Sequence, residues 1–174
     1  MTLGTLYITL LRIIHIFAAV AWVGGGIFLT SILSPTVQAA GPDGGRFMMR
    51  LASFGRMSRV LTVSSLLTVL AGLLLFWPTS GHLNPQWLSS AHGIVLTIGA
   101  ILGILAFLHG AFVAGRATNE MGVVANEILA KQGPPAPEKL QQAQLLGAKL
   151  GRNAIISVTL GSLALLCMAA APTI

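Results

Sequence analysis

At 174 residues the chain has the length of one domain, with 55% hydrophobic residues, 8% charged residues and a net charge of +6. A soluble domain carries about 25% charged residues, and disordered segments are polar and charge-rich. Four acids and ten bases therefore exclude an ordinary soluble enzyme and a disordered chain, and leave an integral membrane protein.

The expected fold class is all-α, an integral membrane four-helix bundle, because four apolar runs reach the roughly 20 residues that cross a bilayer. The first covers about residues 6–33 and is too long, with no basic stretch before it, to be a cleavable signal. Segment 34–59 follows. It turns at Gly41-Pro42-Asp43-Gly44-Gly45, then repeats Phe47, Met48, Leu51 and Phe54 near helical spacing beside Arg46, Arg50 and Arg56. That pattern reads as an amphipathic helix at the inner membrane surface. The second span covers 60–77 and is stopped by Pro78; a short loop holding His82 then leads to the third, 88–115. Segment 116–152 is read as a helical hairpin broken at Gly133, Pro134, Pro135 and Pro137. The fourth span covers 153–171.

Charge sets the orientation. Nine of the ten bases lie in the two long connections: Arg46, Arg50, Arg56 and Arg59 in one, and Arg116, Lys131, Lys139, Lys149 and Arg152 in the other. The positive-inside rule then places both connections in the cytoplasm and both termini outside, with Tyr7 and Trp87 at the outer interface. The basic excess is thereby a feature of topology and no indication of nucleic acid. One cysteine, Cys167, permits no intrachain disulfide.

Ionisable groups inside spans are costly and point to function. This chain has Arg12, His15, His92 and His109 there, and no carboxylate in any span. His15 lies eight residues past Tyr7, about 12 Å down, and His92 five past Trp87, about 7–8 Å down. Histidines at matched depth on parallel helices can supply two axial ligands to a b-type haem. Arg12, three residues before His15, shares its face and suits a propionate; snorkelling to lipid phosphate is the plainer reading. Trp22, Gly25 and Gly99 fall below the two histidines, where glycines clear space for a flat ligand or for helix packing. His109 lies nearer the inner side with no partner histidine at its level, so it ligates alone or bonds a carbonyl. Copper is the competing metal, with Met168, Cys167 and His92 a sparse soft site.

The run Ile14-His15-Ile16-Phe17-Ala18-Ala19-Val20-Ala21-Trp22-Val23-Gly24-Gly25 resembles the first helix of CopD-like membrane proteins and of the HemJ family of protoporphyrinogen oxidases. Trp87 followed by His92 and His109-Gly110, and the pair Arg152-Asn153 opening the last span, are further echoes of HemJ. The chain departs from HemJ by having no lysine in the third span and Ala154 where an acid follows the Arg-Asn pair. The resemblance implies a four-helix bundle with a ligand-binding outer half and His15 as a haem or metal ligand. Its CopD-like side implies copper transport; its HemJ-like side implies b-haem and porphyrinogen oxidation. From the residues, the expected function is electron transfer by a b-type haem in a bacterial plasma membrane. A quinone or a redox partner subunit would exchange the electrons, in a homo- or hetero-oligomer. A cofactor-free accessory subunit of a membrane complex is the remaining alternative.

Overall fold

A computed structural model describes residues 2–131 and 134–173, so Gly133, one of the expected helix breakers, lies outside the described residues. Among the described residues the regular structure is entirely helical. Four helices are long and apolar enough to cross a membrane: α1 (Leu3–Ala39), α3 (Arg56–Thr79), α5 (Ala91–Ala130) and α6 (Pro137–Thr173). Two shorter helices join them, α2 (Gly41–Phe54) and α4 (Pro85–Leu88).

The long helices alternate in direction and close a ring, α1 on α3, α3 on α5, α5 on α6, and α6 back on α1. Both termini and the α3–α4–α5 connection share one end, here the termini end. Helix α2 and the α5–α6 connection share the other, the basic end, which holds nine of the ten bases. The buried positions between helices are mostly small, among them Ala18, Ala19, Ala71, Ala106 and Ala164. Large side chains such as Phe17, Phe112, Ile155 and Leu166 face outward, each at least 60% exposed. Water would oppose such a surface, whereas lipid tails favour it and leave close packing of small residues to hold the helices together.

The helices outrun the apolar runs. Helix α1 continues six residues past 33, through Pro35, after a wide π turn at Leu29–Leu33. That wider turn relieves the clash a proline ring makes with the carbonyl four residues back. Pro78 does not stop α3 at 77 but sits in its last turn, ending at Thr79. The third helix starts at Ala91 rather than 88, capped by the Ser90 hydroxyl on the Gly93 N–H.

At the basic end, the extension of α5 and the first half of α6 pack side by side around Val124, Ile128 and Leu146. Lys139 and Glu127 pair at 2.6 Å on the outside, where both stay partly exposed and the pair adds little. The amphipathic segment does not lie free at a surface. Met49 of α2 packs on the same cluster, and the Ala52 carbonyl faces Gly122, so α2 docks on the extension of α5.

Candidate functional site

The first histidine is placed by helix periodicity. Leu11, Ala18 and Ala19 mark the buried face of α1, and His15 stands four residues after Leu11 on it. Its Nδ1 lies 2.8 Å from the carbonyl oxygen of Thr68 on α3. Room for the ring comes from Gly72, where a Cβ would sit 2.8 Å from His15 Cε1. A carbonyl can only accept, so Nδ1 carries the hydrogen, and a neutral ring then keeps its lone pair on Nε2. This is how a metal-ligating imidazole is oriented, with the other nitrogen donating to a carbonyl.

His92, in the first turn of α5, repeats the arrangement with a different partner. Its Nδ1 lies 2.8 Å from the carbonyl oxygen of Ala171. Ala171 is buried at the end of α6, where helix carbonyls run out of partners in their own helix. The His92 N–H therefore also caps α6. Trp87 meets the His92 ring edge-on, centroids 5.7 Å apart, and Phe76 of α3 meets Trp87 in the same way at 5.7 Å.

His109 differs from both. Its Nδ1 lies 2.9 Å from the Ser157 hydroxyl on α6. A hydroxyl both donates and accepts, so this bond does not fix which nitrogen holds the proton. His82 is exposed in a left-handed turn with Gly81 and Leu83, its ring edge-on to Trp77.

His15, Trp22 and Met168 line one small cavity where all four long helices meet, together with Thr68, Gly103 and Gly161. Its volume is about 30 Å³, room for a water or a single ion. His92 is not among its lining residues; it is bonded to the end of α6 while His15 is bonded to α3. Arg12 is exposed and has no acid partner among the described residues. The space expected at Gly25 and Gly99 is taken by protein: a Cβ on Gly25 would meet Leu61 at 3.2 Å, and one on Gly99 would meet Cys167 at 2.9 Å. These two glycines serve helix crossings. Among the described residues, no group of three or more His, Cys, Asp or Glu side chains is gathered to hold a metal ion.

No protein-family model, curated protein or solved structure matches this chain.

Three residues that sequence reasoning missed, and one it named for another reason, complete the picture. Thr68 and Ala171 contribute backbone carbonyls, which any residue carries, so no side-chain pattern announces them. Gly72 had a signal, a lone glycine within the Leu-rich run of the second span. Asn153, which the sequence marked only through its pairing with Arg152, is buried, and its Nδ2 has no partner among the described residues.

Proposed function

We propose that the chain is a membrane-embedded b-type haem protein of electron transfer, working alone or as a subunit of a larger redox complex. It would sit in a bacterial plasma membrane with both termini outside and the basic end in the cytoplasm, as the clustering of nine bases favours. The observation that carries the reading is the carbonyl-anchored His15. Its Nδ1 is committed to Thr68, its Nε2 is the free lone pair, and a glycine on the facing helix makes the space for its ring. The resemblance of the first helix to CopD-like and HemJ-like proteins supports the same residue.

The donor set fits an iron porphyrin in chemistry: His15 and His92 as imidazole ligands, and Arg12, with no acid partner among the described residues, for a propionate. Cofactor pockets are about 300–1,000 Å³, so the cavity of about 30 Å³ beside His15 is not the porphyrin's room. Helix α1 packs chiefly on α3 over Leu3–Ala19, and its packing on α6 is concentrated over Val20–Leu33. A bound haem supplies one-electron transfer, and a quinone or partner subunit would exchange the electron.

A second reading has its own observation. His15 and Met168 line the same small cavity, and nitrogen with thioether sulfur suits Cu(I), so copper handling would use that pair. The two readings separate in one preparation. Purified protein with a Soret band and a reduced α-band, both lost in His15→Ala, supports haem. A colourless protein holding copper by elemental analysis, with the metal lost in His15→Ala or Met168→Leu, supports the second reading and sinks the first.

A further inference from the structure

Helix α2 is joined to α1 through Ala40 and to α3 through Gly55, so both its ends are tethered to helices apolar enough to span a membrane. At 100° per residue, Asp43, Arg46, Phe47, Arg50 and Phe54 fall within about 100° of arc. All five are exposed, Phe47 at 51% and Phe54 at 72%. Met48, Met49, Leu51 and Ala52 fall on the other side and are at least half covered, Met49 against the α5–α6 cluster. The docked face of α2 is thus accounted for, and the face left over carries two aromatic rings side by side with two arginines flanking them on one side.

Arg56 and Arg59, also exposed, follow at the start of α3, and among the described residues no acid pairs with any of the four arginines. Asp43, at the far end of the face, is the one acid on it. A second copy of this chain would bring the same positive face and be repelled. An anionic bilayer surface offers what both residue types require: phosphates for the guanidinium groups and an acyl boundary for the rings.

We propose that this face of α2 is a docking surface for anionic lipid headgroups, with Phe47 and Phe54 entering the headgroup–acyl boundary and Arg46 and Arg50 holding phosphates. The proposal is independent of the haem reading, since it uses no residue near the histidines.

The test places a tryptophan at the surface, Phe54→Trp and separately Phe47→Trp. The whole protein is reconstituted in phosphatidylcholine vesicles containing some phosphatidylglycerol. Brominated acyl chains are carried on one lipid or the other, and the added emission is read against the parent protein with its three native tryptophans. The expected result is quenching of the added emission, stronger when the bromine is on phosphatidylglycerol. That preference should fall about fivefold for each arginine removed in Arg46→Gln and Arg50→Gln. Equal quenching by both lipids would overturn the headgroup assignment. Emission reached by aqueous iodide and not by bromine would overturn docking to lipid altogether. Shielding from both quenchers would also overturn it, and would show that protein covers the face.

Discussion

Two of the three span histidines end on a backbone carbonyl, and the third ends on a hydroxyl. His15 and His92, toward the termini end, donate to Thr68 and Ala171. His109, toward the basic end, meets Ser157, which can take either side of the bond. A carbonyl dictates where the imidazole proton sits and so leaves a defined lone pair on Nε2. A hydroxyl dictates nothing, and the bond serves equally well as a strut between α5 and α6. The same contrast runs through the packing. The basic end has a hydrophobic cluster, Val124, Ile128 and Leu146, with α2 added to it. The termini end has α1 leaning on α3 and a small cavity beside His15. The basic end has a small cavity of its own, about 20 Å³ beside Glu127 and Ile128, so the two ends differ in what lines them and not in how tightly they close.

The largest effect should come from the histidines themselves. On the haem proposal, His15→Ala should remove the Soret band, and His92→Ala should lower cofactor content or turn a low-spin spectrum high-spin. His109→Ala should leave the spectrum unchanged. Absorption spectra of the three variants at equal protein concentration decide it. Bleaching by His109→Ala, with His15→Ala unaltered, would break the comparison outright.

A smaller effect is expected from crowding the ring without removing it. A Cβ at Gly72 would sit 2.8 Å from His15 Cε1 and 3.1 Å from Nδ1, so Gly72→Ala forces a shift at this contact and should displace the ring from the Thr68 carbonyl. Overpacking of this kind costs about 1–3 kcal/mol, and the cofactor should be retained only in part. Gly103→Ala is the matched control on the same cavity, because its Cβ would meet Ala164 at an ordinary 3.9 Å. Equal cofactor content in the two variants would show that the position of the His15 ring is irrelevant to binding.

Much of this was legible in the sequence for physical reasons that also explain what was not. Lipid demands apolar side chains over a fixed length, so four spans could be counted from hydropathy. Hydropathy marks where lipid ends, though, and not where a helix ends. The last helix starts at Pro137, sixteen residues before the apolar run at 153, because its first half is stabilised by Leu146 and its neighbours rather than by lipid. The candidate histidines were legible because an imidazole in an apolar run is costly. What they bond was not, since Thr68 and Ala171 act through backbone atoms. Nor was the docking of α2: Met49 and Phe47 are both apolar, and only the fold assigns one to the α5–α6 cluster and leaves the other exposed.

The smallest effects belong to the basic end, and their signs differ. Ser157→Ala removes the His109 partner, so it should destabilise by about 0.5–1.5 kcal/mol while leaving any cofactor spectrum alone. Asn153, one turn before Ser157 on the same helix, should go the other way. Its Nδ2 is buried without a partner among the described residues, and a buried unsatisfied amide group costs about 1–3 kcal/mol. Asn153→Leu keeps a similar length and removes the unpaired donor, so it should raise the midpoint of thermal unfolding in detergent, whereas Ser157→Ala should lower it. A fall in the midpoint for Asn153→Leu would mean that the amide is engaged in the membrane-embedded protein. The basic end would then hold a second polar site, and the contrast between the two ends would narrow to the carbonyl bonds of His15 and His92.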